Sequence, residues 1–240
     1  MTQPRLIVHK LSICLLLSSQ LLNQAVAEES AKELDSTTLA EQSQAAADKA
    51  QAPVYIPANR GATRHRSGAA TRGSGSKLPQ LELIAPAHTG LTTQAEPILY
   101  WYLSQPSPVP VQLTIVAPNL AEPLLSLRLP PPVSAGLHTL ALAKHEVSLG
   151  ADVNYTWYAA LVPDESQRSQ DLVAAAGLRV AAASAPQVRT IHGLAAAGLW
   201  YDTFAELQRQ LGGAGPAQQT QLLAARVALL EQIGLTDLDL

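Results

Sequence analysis

The chain has 240 residues, of which 47% are hydrophobic and 15% are charged, and its formal net charge at pH 7 is -3. This length is sufficient to bury a hydrophobic core, and the weak negative charge excludes the overall basic character of a nucleic-acid-binding protein. The only cysteine is Cys14, so the sequence predicts no disulfide and no cysteine-ligated metal in the rest of the chain.

Residues 1–27 have the order of a secretory signal peptide. A short positive start precedes an apolar run over residues 11–22, and Ala25 and Ala27 supply the small side chains that a signal peptidase reads. The run is too short, and too interrupted by polar residues, to span a bilayer stably, and no later run is longer. We expect cleavage before Glu28 and a protein that is periplasmic or secreted.

Residues 28–77 are predicted to form a mostly disordered arm, acidic at first and then basic and rich in glycine and arginine. The arm is poor in large apolar residues, so it cannot bury enough surface to offset the entropy of ordering. No acidic residue lies between 51 and 77, so the arginines of this stretch are a candidate binding site for an acidic protein face or an anionic glycan. A solvated linker is the alternative. The candidate residues are Arg60, Arg64, Arg66 and Arg72.

Residues 78–183 are predicted to form an immunoglobulin-like β-sandwich. Short apolar runs alternate with turns rich in proline, glycine and asparagine at regular spacing, which is typical of a sandwich. The predicted strands cover residues 81–84, 98–103, 109–116, 124–129, 137–142, 154–162 and 177–181.

Alternation within the strands assigns side chains to faces. Trp101 shares one face of its strand with Leu99, whereas Tyr100 and Tyr102 lie on the other face. We predict that Trp101 and Trp157 belong to the core. Two interpretations of the tyrosines stay open: they are buried, or they form an exposed strip that binds a sugar or a peptide.

Residues 184–240 are predicted to form a helical hairpin or a three-helix cap. Apolar residues recur there with helical spacing over residues 187–197, 199–211 and 217–233, and glycines follow each run. One segment, Gly198-Leu-Trp-Tyr201, is similar to part of a tetratricopeptide repeat. No period recurs along the chain, so a cap covering one end of the sandwich is the simpler interpretation.

The sequence gives no motif for catalysis, for a cofactor or for a metal, and we predict a non-enzymatic protein. The histidines are scattered, without a pair at metal-ligand spacing. No nucleophile elbow of the Gly-x-Ser-x-Gly kind occurs outside the arm. Nucleic acid is an unsuitable partner for an exported chain whose basic stretch, residues 60–77, contains no Phe, Trp or Tyr for base stacking.

Four motifs follow one another from the arm to the predicted helices. They are the basic stretch from Asn59-Arg-Gly61 to Thr71-Arg-Gly73, then Ala85-Pro-Ala-His-Thr-Gly-Leu-Thr92 with Tyr100-Trp-Tyr102, then Tyr155-Thr-Trp157, and finally Gly198-Leu-Trp-Tyr-Asp202. In this order they resemble the bacterial family known as domain of unknown function 928. The resemblance implies an exported envelope protein and carries no assigned activity. It covers residues 59–235, with Ala69-Ala70 standing where more glycine is expected.

These observations predict an exported protein whose role is to bind another envelope protein. A carbohydrate-binding module that uses Tyr100 and Tyr102 is the alternative, and an unrecognised hydrolase is the least favoured interpretation.

Overall fold

The computed structural model describes residues 52–57, 78–182 and 189–240, all of which belong to one structural unit, Ala52–Leu240. The predicted signal peptide lies outside the described residues. So do the candidate residues Arg60, Arg64, Arg66 and Arg72, and their role stays a prediction.

Eight β-strands form two sheets in the described part of the chain. They are β1 (Leu81–Leu83), β2 (Gly90–Thr92), β3 (Ile98–Leu103), β4 (Val111–Val116), β5 (Leu125–Leu129), β6 (Gly136–Ala141), β7 (Asn154–Leu161) and β8 (Leu172–Val180). The three-stranded sheet has the order β1-β3-β6, and the five-stranded sheet has the order β2-β8-β7-β4-β5. All pairs are antiparallel except β2 with β8, which is parallel.

The predicted combination of a mainly β fold with a C-terminal helical part is confirmed. Strand β2 was not predicted, because Gly90 follows a turn and its three residues carry no apolar alternation. Strand β8 begins at Leu172 rather than at residue 177. It starts with an alanine-rich stretch, and alanine is depleted in strands, so the sequence pattern understates its length.

The hydrophobic core contains the odd-numbered residues of β3 and β7. Trp101 is 1% exposed and Trp157 is fully buried, which confirms the prediction that both indoles belong to the core. Tyr155 and Leu161 lie on the same buried face of β7, as alternation predicts.

Three α-helices follow the sheets: α1 (Ile191–Ala196), α2 (Trp200–Gly213) and α3 (Pro216–Gln232). Thr190 caps α1 by accepting a hydrogen bond from the Gly193 amide, as N-cap threonines commonly do. Gly198, with a φ of 74°, turns the chain between α1 and α2, a conformation that favours glycine. In the described residues, none of the helices has both the length and the apolar character needed to cross a membrane.

Residues 52–57 are the part of the predicted arm that the structure describes. Pro53 and Tyr55 are buried against the folded unit, and Ile56 donates a backbone hydrogen bond to the Ala195 carbonyl. The arm was predicted to be mostly disordered, and these six residues of it are packed; residues 28–51 and 58–77 lie outside the described residues, so for them the prediction stays a prediction. The pattern Pro-Val-Tyr-Ile-Pro, the one large apolar cluster of the arm, could have indicated the contact.

Candidate functional site

The first turn of α2 carries two aromatic side chains that are buried against the β-strands. The indole Nε1 of Trp200 donates a hydrogen bond of 2.9 Å to the Ile84 carbonyl. Trp157 Nε1 donates to the Tyr201 hydroxyl over 3.0 Å, and that hydroxyl donates to the Gly177 carbonyl over 2.8 Å. Burial raises the pKa of the Tyr201 phenol, so this relay is built on a neutral tyrosine.

Close packing around Tyr201 requires a glycine on β2. A Cβ atom at Gly90 would lie 2.7 Å from the Tyr201 ring, a distance that no side chain tolerates without movement of its neighbour. Gly90 therefore lets α2 approach the edge of the five-stranded sheet.

A buried carboxylate fixes the same turn of the helix. Asp202, only 6% exposed, accepts hydrogen bonds from the Thr92 hydroxyl at 2.8 Å, the Thr93 hydroxyl at 2.8 Å and the Thr93 amide at 2.7 Å. Its place in the first turn of α2 is favourable for a negative charge. Together with Tyr201, this carboxylate ties the first turn of α2 to the five-stranded sheet and to Thr93 after β2.

Tyr55 packs against residues of α2 and of the loop between β1 and β2. Its ring is nearly parallel to His88, with 5.9 Å between the centroids, and edge-on to Trp200, with 5.1 Å between the centroids. The Tyr55 hydroxyl and His88 Nε2 share a hydrogen bond of 3.0 Å. Burial raises the pKa of the Tyr55 phenol, so the group remains neutral in its pocket.

The backbone on both sides of Val54 is held by one side-chain amide, that of Gln232 at the end of α3. Its Oε1 accepts a hydrogen bond of 2.7 Å from the Tyr55 amide, and its Nε2 donates one of 2.8 Å to the Pro53 carbonyl. The same Nε2 donates to the Ala228 carbonyl one turn earlier in α3, which fixes the amide plane. Gln232 thus offers the donor and acceptor that a neighbouring β-strand would offer.

We call residues 52–57 the strap and the surface formed by His88, Ala195, Trp200 and Gln232 the groove. Side chains of the strap alternate: Tyr55 is 7% exposed, whereas Val54 and Ile56 are 62% and 54% exposed. This alternation is that of an extended chain with one face on a surface. The groove therefore holds an extended stretch of backbone together with one tyrosine ring of the same chain.

The sequence-predicted candidates Tyr100 and Tyr102 do not form an exposed strip. They are 6% and 4% exposed, and the Tyr100 ring packs edge-on against Phe204 of α2, with 5.0 Å between the centroids. The interpretation of an exposed aromatic strip on β3 is therefore wrong. Alternation separated the two faces correctly, but it could not show that Phe204 of α2 covers Tyr100.

The aromatic residue of the two sheets that does reach solvent is Tyr158 of β7, on the outward face of the five-stranded sheet. It is half-buried and lies in a cross-strand row between Thr114 and Ala175. We call the outward residues of β4, β5, β7 and β8 the open face. Two arginines of this face pair with residues of adjacent loops: Arg128 with Glu165, and Arg179 with Asp152. Since Trp157 points inward, strand alternation alone could have found Tyr158.

Metal chemistry receives no support from the geometry. Within residues 52–57, 78–182 and 189–240, no three side chains of His, Cys, Asp or Glu come together in a way that could hold an ion. The residues that the structure brings together in the groove hold the backbone and one tyrosine ring of the strap.

The fold and the groove define a two-sheet β domain with a helical part that holds an extended segment. The family model described as Domain of Unknown Function (DUF928) matches residues 61–239, and the chain belongs to this family. The resemblance seen in the sequence is thereby confirmed. Comparisons with curated proteins and with solved structures gave no match.

Proposed function

We propose that this protein is an exported, non-enzymatic module of a bacterial envelope that binds another protein by recognising an extended segment in the groove. The observation that carries the proposal is the bidentate contact of Gln232 with the strap backbone. A side-chain amide that satisfies a backbone N–H and a backbone C=O recognises polypeptide as such, because every chain presents both groups.

The Tyr55 pocket adds selectivity to this backbone recognition. A tyrosine supplies a large apolar ring and one polar tip, at a low cost in conformational entropy, and such residues dominate the affinity of many interfaces. His88 meets the hydroxyl and Trp200 meets the ring edge. The favoured ligand is an extended segment with a tyrosine between aliphatic residues and a proline two positions before it, as in the strap.

The strand order supports an immunoglobulin-like assignment for the sandwich. The order β1-β3-β6 against β8-β7-β4 corresponds to strands A-B-E against G-F-C of that fold. A strand beside β4, here β5, extends the second sheet as in variable-type domains. Sandwiches of this architecture are common in cell-surface binding proteins, which agrees with a binding role.

Peptide titration tests the function directly. The probe is a fluorescein-labelled synthetic peptide with the sequence of residues 49–60, and the protein is the full chain carrying Tyr55→Ala, which weakens the hold of its own strap. We expect saturable binding, measured by fluorescence anisotropy. The unaltered chain should bind the probe more weakly, because its own strap competes at the high effective concentration of a tethered ligand.

Two controls distinguish specific binding of the peptide in the groove from non-specific adhesion to the protein. The double variant Tyr55→Ala/Gln232→Ala should lose roughly tenfold or more in affinity, since about 1.4 kcal/mol is the usual order of one or two net hydrogen bonds. A peptide with alanine in place of its tyrosine should also bind more weakly. Equal binding by all protein variants, or none by Tyr55→Ala, would rule out the groove as a peptide site.

Export is supported by the N-terminal order of charged, apolar and small residues. N-terminal sequencing of the protein from the envelope fraction of a producing bacterium should give Glu28 as the first residue. Recovery of an intact N-terminus at Met1 from that fraction would contradict the proposed leader.

The basic part of the arm adds an ionic contribution to this proposal. Guanidinium groups with no acidic residue in their own stretch, residues 51–77, are available to an acidic face or an anionic glycan on the same partner. Replacing Arg60, Arg64, Arg66 and Arg72 with serine should weaken partner binding and flatten its salt dependence. The peptide titration should be unchanged, because the groove is intact. If the salt dependence of partner binding is unaltered in this variant, the basic part of the arm is only a linker.

A further inference from the structure

The strap and the groove that holds it belong to one chain, but they come from parts of the sequence that are far apart. Gln232 is 177 positions from Tyr55, and residues 58–77 link the strap to the first strand. The family match begins at residue 61, so the groove lies inside the matched region and the strap precedes it. The strap therefore has the position of a ligand appended to a binding domain.

The strap is held by few contacts compared with the elements around it. Its backbone makes two hydrogen bonds with Gln232 and one with Ala195, and its buried side chains are those of Pro53 and Tyr55. Val54 and Ile56 remain largely exposed, so this arrangement leaves apolar surface in water. A segment that buries so little surface detaches at a lower free-energy cost than is needed to unfold the core.

We propose that the strap is an exchangeable self-ligand, and that residues 52–57 of one copy occupy the groove of a second copy. The partner is thus a second copy of this chain. Every contact of the strap with the groove is the same within one chain and between two chains, which is the condition for segment exchange. The proposal rests on the proposed function, because both use the groove.

Concentration sets the balance between the two arrangements. A tethered ligand competes at an effective concentration of about millimolar order, so the strap stays in its own groove in dilute solution. When copies are crowded, or when a groove has lost its own strap, exchange links them. The exposed Val54 and Ile56 travel with the strap and add apolar surface to the junction between the copies.

A complementation experiment with two full-length variants tests the exchange. Tyr55→Ala has an impaired strap and an intact groove, whereas Gln232→Ala has an intact strap and an impaired groove. Each carries a different affinity tag. In the mixture, the intact strap of Gln232→Ala is held only weakly by its own impaired groove, and the intact groove of Tyr55→Ala is occupied only weakly by its own impaired strap. The intact strap of one variant can therefore enter the intact groove of the other, which neither variant alone allows.

We expect the mixture to form a heterodimer, seen as co-purification of the two tags and as a dimer in sedimentation. Its yield should exceed that of either variant alone by roughly tenfold, the factor that one net hydrogen bond represents. The matched control mixes Tyr55→Ala with Tyr55→Ala/Gln232→Ala, which has no intact strap and should give no such increase. Circular dichroism establishes that each variant is folded.

Folded variants that stay monomeric in the mixture at high concentration would overturn the exchange. If the synthetic peptide still binds Tyr55→Ala, the groove remains a peptide site and only the second copy is excluded as its partner. If the peptide also fails to bind, the proposed function falls together with the exchange.

Discussion

The outward faces of the two sheets differ, although each presents a tyrosine at an alternating position of its strand. Tyr100 of β3 is 6% exposed because Phe204 of α2 packs edge-on against its ring. Tyr158 of β7 is half-buried, and it stands among small side chains on the open face. Alternation decides which residues share a face, and a distant helix decides whether that face meets water.

The polar chemistry of the two regions differs in the same way. Asp202 and Tyr201, which hold α2 in place, form hydrogen bonds in the interior, where an unmatched donor or acceptor is costly. On the open face, the ionic groups pair with one another while remaining exposed to solvent, where such pairs contribute little stability. The covered side stabilises the fold, and the open face can change at little cost.

The largest effect is expected from emptying the core beneath the covered face. Trp101→Ala should reduce the free energy of unfolding by about 3–5 kcal/mol, the usual cost of a buried large aromatic residue. Tyr100→Ala should cost about 3 kcal/mol for the same reason, whereas Tyr158→Ala should cost about 1 kcal/mol or less. Urea unfolding of the three variants measures this. Similar losses for Tyr100→Ala and Tyr158→Ala would abolish the distinction between the faces.

The positions of most strands, the burial of Trp101 and the helical C-terminal part were predictable, because they follow from local patterns of apolar residues and turns; β2 and the alanine-rich start of β8 carry no such pattern. The burial of Tyr100 was not predictable, because the covering residue, Phe204, lies far along the chain. The apolar cluster of the strap is visible in the sequence, but its partner Gln232 was not predictable, because it is 177 positions away. Long-range contacts of this kind leave no periodic signal in a single sequence.

The next largest effect concerns the carboxylate that fixes α2. Asp202→Ala should cost about 2–3 kcal/mol, because it leaves the Thr92 hydroxyl and the Thr93 amide without their charged acceptor. Asp202→Asn retains one acceptor oxygen and should cost less. Thermal and urea unfolding of both variants provide the measurement. A loss for Asp202→Ala no larger than that of a surface substitution would show that the helix is held by packing alone.

High pH should weaken the covered side selectively. Burial raises the pKa of the Tyr201 phenol above its ordinary value of 10.0, so the folded state retains a proton that the unfolded state loses. The contribution of this group is complete below pH 10 and declines as the pH rises further, by about 1.4 kcal/mol per pH unit for one proton. Tyr201→Phe cannot ionise, so its unfolding free energy should fall less steeply between pH 10 and 11. Parallel curves for the two proteins would contradict a buried neutral phenol.

The smallest effect is expected on the open face. Arg179 and Asp152 form an ion pair of 2.6 Å, with side chains that are 33% and 52% exposed. Water and salt screen such a pair, and holding two exposed side chains in place costs entropy, so Arg179→Ala should change the unfolding free energy by less than about 1 kcal/mol. The double variant Arg179→Ala/Asp152→Ala should show a coupling energy of about 0.5 kcal/mol or less, reduced further in 1 M salt. A salt-independent coupling as large as the loss for Asp202→Ala would mean that this side of the sandwich is structurally constrained as well. The open face would then tolerate substitutions no better than the face that α2 covers.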